Sequence, residues 1–274
     1  MNGAEVLLRT LLASGINVSF MNPGTSEMQF VAALDRVPGM RGVLCLFEGV
    51  CSGAADGYAR MLGRPASTLL HLGPGLANGL ANFHNARKAR SPIVSVVGEH
   101  STQHMRYDAP LSADIAAFAR GVSDDIITPS AAPEVGAAAS AAIAAACRPP
   151  GQIAHLIVPA DFSWSEAGEP GPATSTPLRR EPSDATIRNI CDLLQQGPAV
   201  TFVLGGNTLT ERGLNAAGRL AAKFGVRICA NRNAGRMQSG QGRFQPVRIP
   251  YFPEPAEALL AATQHLVLVE SAAP

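Results

Sequence analysis

Apolar and polar positions along this chain follow two alternating rhythms. Residues 4–14 carry apolar side chains at helical spacing, and Gly15 closes that helix. Residues 16–20 read as a strand, Asn22-Pro23-Gly24 as a turn, and 27–37 as a second helix. The apolar run 43–47 predicts the next strand and is followed by a helix to residue 62. A strand over 68–72 is broken by Gly73-Pro74-Gly75 before a helix reaching about residue 89. Residues 93–97 and 153–158 are two further short runs rich in Ile and Val. Strand alternating with helix is the signature of an α/β domain, with a parallel sheet flanked by helices.

Residues 168–182 are crowded with Pro, Gly, Ser and Thr and read as a linker. Alternation then resumes, with helices predicted over 186–195, 210–224 and 257–262 and strands over 200–204, 226–230 and 266–269. Three short strands are few for a parallel α/β domain, whose last strand is seldom left at an edge. The expectation is therefore a first domain over 1–166, a linker over 167–182, and an incomplete second α/β domain over 183–274.

Composition narrows the class. A net charge of +1 removes the electrostatic footprint of a nucleic-acid or anionic-membrane partner. The chain opens on no basic-then-apolar leader, and no apolar run approaches the roughly 18 residues of a spanning helix. Five scattered cysteines without a C-x-x-C pair read as buried reduced thiols, and with them the expected location is cytoplasmic.

In open parallel sheets, ligands gather beyond the carboxyl ends of the strands. Four segments fall there: 22–27, Glu48, 71–78 and 98–104. Glu48 stands between an apolar run and the start of a helix, where the helix dipole favours its anion and desolvation opposes it. A group so balanced can exchange a proton with a ligand base; an ordinary surface glutamate in a first helical turn is the competing reading. His71 ends an otherwise buried run just before the Gly-Pro-Gly turn, against the alternative of a satisfied core histidine. Gly73 to Gly79 is a loosened phosphate-cradling turn, and it leaves open a nicotinamide- or flavin-binding oxidoreductase with Glu99 on a ribose. Gly205-Gly206 reads as a tight turn. No metal-ligand spacing is present.

Taken together, "GAEVLLRTLLASGINVSFMNPGTSE", "LFEGVCSGAADGYARMLGRPA", "LLHLGPGLANGLANFHNARKARSPIVSVVGEH" and "IVPAD" follow the order of one known domain. Over about residues 1–165 the chain resembles the pyrimidine-binding domain of thiamine-diphosphate enzymes of the acetolactate synthase and benzoylformate decarboxylase type. Residues 183–274 are similar to the start of that family's middle domain. The resemblance implies that Glu48 hydrogen-bonds the aminopyrimidine ring and activates the cofactor, with His71 as a second catalytic residue. It also implies cofactor contacts from Asn22, Pro23, Gly24, Gly73, Pro74, Gly75 and Asn78. Thr25, His71, Pro110 and Leu111 would face a small 2-oxoacid, which is decarboxylated or joined to a second carbonyl compound.

Thr25 and His71 resemble the decarboxylase branch, whereas "YDAPLSADIAAF" is similar to a synthase run with its Phe, Gln and Glu replaced by Pro110, Leu111 and Ser112. The family holds the diphosphate and Mg2+ on a third domain marked by Gly-Asp-Gly, and that tripeptide does not occur in these 274 residues. The implied anchor lies on the rest of a longer polypeptide or on a second chain. The resemblance further implies a homodimer or homotetramer through the first domain; a flavin stays open, as does a non-catalytic subunit.

Overall fold

The computed structural model describes residues 1–175, 177 and 181–274. The chain divides into two compact units, Met1–Pro177 and Leu178–Pro274. In the first, six strands form one parallel sheet: β1 (Val18–Asn22), β2 (Arg41–Leu44), β3 (Ala66–Leu70), β4 (Ile93–Glu99), β5 (Asp125–Ile127) and β6 (Ile153–Pro159). Their order is β2-β1-β3-β4-β6-β5.

Helices cover both faces because the strands are apolar on both. On β4, Val94 and Val96 turn to a core shared with α1 (Gly3–Ala13), α2 (Met28–Arg36) and α6 (Val135–Cys147). Ile93 and Val97 turn the other way, onto α3 (Glu48–Leu62), α4 (Leu72–Ala89) and α5 (Ile115–Arg120). Phe83 of α4 is fully buried there, a contribution of roughly 1.5–3 kcal/mol. A short α7 (Ala160–Trp164) follows β6. Helix ends obey local rules: Asn2 caps α1 by accepting from the Glu5 N–H, and Gly63 closes α3 at φ 67°.

Several expectations shift. The predicted strand 43–47 is Arg41–Leu44 instead, and Leu44, Leu46 and Phe47 are exposed. β2 is the sheet edge, so Val43 and Cys45 turn to the core while Leu44, Leu46 and Phe47 lie uncovered among the described residues. The strand expected at 68–72 ends at Leu70, and Gly73-Pro74-Gly75 lies within the first turn of α4 rather than before it. Pro74 fits there because an N–H so near a helix start has no partner to lose. α5, β5 and α6 have no counterpart in the sequence reading. Of the five cysteines four are buried, while Cys191 is exposed.

Part of the expected linker, residues 176 and 178–180, lies outside the described residues. Its earlier part is fastened to the first unit: the Gly171 N–H donates to Thr10 Oγ1, and Ser140 Oγ donates to the Pro172 carbonyl.

The second unit holds a four-stranded parallel sheet of β7 (Val200–Leu204), β8 (Arg227–Ala230), β9 (Val247–Arg248) and β10 (His265–Val269), ordered β10-β7-β8-β9. The sequence reading had three of these; β9, only two residues long, carries too little pattern to be seen. Helices α8 (Asp184–Leu194), α9 (Glu211–Phe224) and α10 (Pro253–Leu260) complete it. Among the described residues no helix is long and apolar enough to cross a membrane.

Candidate active site

In the first sheet the chain proceeds from β1 to β2 on one side and to β3 on the other. The crevice between the carboxyl ends of β1 and β3 is therefore the switch point where such sheets accept ligands. β1 ends at Asn22, and after Pro23-Gly24 a single 3₁₀ turn, Thr25–Glu27, carries the chain into α2. β3 ends at Leu70, and His71 caps the start of α4. Leu72, the first residue of α4, is buried and held at φ 53°, a left-handed conformation that costs a leucine roughly 1–3 kcal/mol.

The two strand ends are joined by a carboxyl–imidazole pair. His71 Nδ1 lies 2.8 Å from Glu27 Oε2, which also accepts the Gly24 N–H at 2.8 Å. Gly24 admits this closeness, since a Cβ there would stand 2.4 Å from the imidazole ring. Glu27 is 3% exposed, and its Oε1 is buried with no hydrogen-bond partner among the described residues. Gly98, near the end of β4, makes room for that oxygen: a Cβ would stand 1.6 Å from it. Burial pushes the Glu27 carboxyl up, against the lowering pull of the Gly24 N–H and of His71. With Nδ1 engaged, His71 has Nε2 left for a ligand.

Glu48 is the first residue of α3, after Phe47 at the cap, and is 9% exposed. Its carboxylate thus lies at the positive end of a fifteen-residue helix. Asn78 Nδ2 donates to Oε2 at 3.0 Å, and a Cβ on Gly75 would stand 3.3 Å from Oε1. The run before Glu48 is largely exposed, yet the carboxylate itself is buried, because α3 packs on α4 through small residues. Ser52 Oγ donates to the Gly79 carbonyl at 2.9 Å.

The other expected residues divide. Asn22 ends β1 but spends its amide on the Cys45 carbonyl at 2.8 Å. Pro23 is half-buried and Thr25 exposed on the turn beside the Glu27–His71 pair. Gly73 is buried against Ala113, where a Cβ would come within 2.5 Å, and Pro74 is exposed. Pro110 and Leu111 are exposed on a turn of the loop that brings Ala113 to Gly73. Beyond the crevice, Glu99 Oε1 accepts the His100 N–H at 2.7 Å, and burial pushes its carboxyl up.

Two residues carried no role of their own in the sequence reading. Glu27 closed the candidate segment 22–27 and stood at the start of a helix. The one local signal was a glutamate three residues after Gly24, the spacing that lets it accept that N–H. Asp56, inside "ADGYAR", is buried and accepts from Ser91 Oγ and from Arg60 Nε at 2.7 Å. That motif therefore clasps α3 to the turn after α4. Among the described residues no group of three or more His, Cys, Asp or Glu side chains is placed to hold a metal ion.

Comparison with known proteins sets this chain among thiamine pyrophosphate enzymes. A family model described as the thiamine pyrophosphate enzyme N-terminal TPP binding domain matches residues 1–119. The chain is 49% identical over its whole length to the "Putative acetolactate synthase large subunit IlvX" of Mycobacterium tuberculosis, of which it spans 53%. It is 30% identical to the benzoylformate decarboxylase of Pseudomonas aeruginosa over 77% of this chain and 40% of that protein. A solved thiamine diphosphate-dependent 4-hydroxybenzoylformate decarboxylase of Rhodococcus jostii RHA1 superposes with a TM-score of 0.85 over 98% of this chain and 52% of that one. At 24% identity this is a likeness of fold. The chain spans about half the length of the curated relative it matches end to end.

Proposed function

This chain belongs to the thiamine pyrophosphate enzymes through its first domain, and from that premise we propose that it supplies the pyrimidine-facing half of the active site of a 2-oxoacid decarboxylase or carboligase of acetolactate synthase-like type. The observation that carries the reading is Glu48: a buried carboxylate at a helix N-terminus, gripped through one oxygen and open toward Gly75 through the other. That donor set fits an aminopyrimidine, whose ring nitrogen can share a proton with a carboxyl group. Thiamine diphosphate, when bound, supplies a carbon nucleophile for the substrate carbonyl and a sink for the electrons left as carbon dioxide departs.

The chain's own residues bind, orient and move protons. Glu48 holds or releases a proton at its open oxygen. His71, fixed at Nδ1 by Glu27, would use Nε2 as a hydrogen-bond donor or acceptor to the substrate. Asn22, Pro23 and Gly24 would line the ring along β1, and Pro74 and Gly75 along α4. Pro110 and Leu111 would shape the substrate side. The diphosphate and Mg2+ would be held by a Gly-Asp-Gly-bearing domain outside these residues, through dimers or tetramers formed by the first domain. The exposed Leu46, Phe47 and Val50 beside Glu48 support that reading, as an apolar rim awaiting cover.

An oxidoreductase built on Gly73 to Gly79 is less well supported. Those glycines lie within α4 and face Ala113, Glu48 and Phe83 rather than an open phosphate loop.

The test begins with the intact mass of the native protein, which defines the polypeptide to assay. That protein, given thiamine diphosphate, Mg2+ and a panel of aliphatic and aromatic 2-oxoacids, should release carbon dioxide. Solvent exchange of the cofactor's C2 proton should be lost in Glu48→Gln. Exchange undiminished by that change would overturn the proposal.

A further inference from the structure

We infer that Asn78 is a positioning residue for Glu48, and that its amide decides which carboxylate oxygen exchanges the proton; this rests on the role proposed for Glu48 above. Asn78 and Asn82 stand one turn apart on α4, so both side chains point at α3. Asn78 Nδ2 donates to Glu48 Oε2 at 3.0 Å, and Asn82 Nδ2 donates to the Gly49 carbonyl at 2.7 Å. Two successive residues of the first turn of α3 are therefore held by two amides of one helix face. The approach is close because Gly53 lies opposite Asn82, where a Cβ would stand 3.0 Å from Nδ2.

An amide nitrogen only donates. A protonated oxygen is a much poorer acceptor than a charged one, so the bond from Asn78 favours the proton on Oε1 over Oε2. Oε2 is thereby the anchored, unprotonated oxygen, and Oε1, the one facing Gly75, gives and takes the proton. Without Asn78 the carboxyl group is free to rotate and its two oxygens become equivalent. A misplaced proton donor can lose about 100-fold in rate without any loss of binding. The sequence reading had Asn78 as a direct cofactor contact. The 3.0 Å bond gives its Nδ2 a partner in the carboxylate.

Two measurements test this on the complete native polypeptide. C2-proton exchange of bound thiamine diphosphate is followed by quenched proton NMR in wild type, Asn78→Ala, Asn78→Asp and Glu48→Gln, with cofactor affinity measured separately. Both Asn78 variants should bind thiamine diphosphate as wild type does and exchange about 10- to 100-fold more slowly. Normal exchange in Asn78→Ala beside abolished exchange in Glu48→Gln overturns the positioning role and leaves the function standing. Affinity and exchange falling together means Asn78 touches the cofactor, which also overturns it. Normal exchange in Glu48→Gln overturns both. The second measurement needs no cofactor and no Asn78 variant. The side-chain amide cross-peak of Asn78 should move on Glu48→Gln while that of Asn82 stays; an unmoved Asn78 peak overturns the inference.

Discussion

The carboxyl edges of the two parallel sheets are built alike and do different things with their acids. At the first, Glu27 and Glu48 are 3% and 9% exposed, and the oxygens their anchors leave over are accommodated by Gly98 and Gly75. At the second, the strand order puts the switch point between β7 and β10, beside Gly205-Gly206. Glu270, just past β10, gives Oε2 to the Asn207 N–H at 2.7 Å, and Gly206 is at φ 50° with a would-be Cβ 2.4 Å from that oxygen. There the acid closes its own loop. The Gly-Gly pair is the tight turn its sequence implies, and its carboxylate serves the fold. Shared architecture does not settle chemistry. What separates the two edges is burial: Glu27 and Glu48 are withdrawn from solvent, whereas Glu270 is exposed and ties down its own loop.

The comparison breaks most visibly under paired substitutions. Glu48→Gln should lower C2-proton exchange in the complete enzyme by about 100- to 10,000-fold, the range of a lost general acid–base group. Glu270→Gln should leave exchange within about twofold, since the remaining carbonyl oxygen still accepts from a backbone N–H. Equal losses would show that the two edges are not different in kind.

The next effect is on stability. Gly98→Ala would put a methyl group 1.6 Å from Glu27 Oε1, in a fully packed site. Urea denaturation should show a loss of about 1–3 kcal/mol, the cost of forced overpacking. An unchanged midpoint would mean the Glu27 carboxyl is free to move aside, and the pair with His71 would lose its rigidity as an argument.

A third test concerns His155 on β6, fully buried, edge-on to Phe83, with neither ring nitrogen hydrogen-bonded among the described residues. Burial pushes it down from 6.5 to about 3. The unfolded chain then binds a proton below pH 6.5 that the folded chain refuses, so stability falls as pH drops from 6.5 toward 3. Between pH 7 and pH 5 the loss from this residue is about 2 kcal/mol. His155→Leu should flatten that part of the profile, and a parallel profile would refute the assignment. The smallest effect is expected from Glu270→Ala, about 0.5–1.5 kcal/mol for one hydrogen bond, seen as earlier melting of the second unit.

Much of this protein was written locally. The Ile- and Val-rich runs of β4 and β6, the turn chemistry of Gly15, and the helix start behind Glu48 depend on neighbours a few residues away, and pattern alone recovers them. α6 was not legible, because Val135–Cys147, a helix mostly of alanine with nine buried residues, shows no polar stripe to mark its period. The edge position of β2 was equally silent. An apolar run reads as buried unless one knows that nothing lies beyond it.

The site shows the same division. Glu48 stood out as an acid after an oily run, with burial weighed against an ordinary surface glutamate. The reason for its burial was not legible: the strand before it is largely exposed, and α4 does the covering. Glu27 became a site residue only through His71, 44 positions away, and its vacant oxygen only through Gly98 on a third strand. Such a bond exists once β1, β3 and β4 lie side by side. Sequence by itself determined which residues could be acids, turns and strands; the closing of the sheet decided which acid meets which imidazole, because hydrogen bonds act over about 3 Å, and only tertiary structure brings distant positions that close.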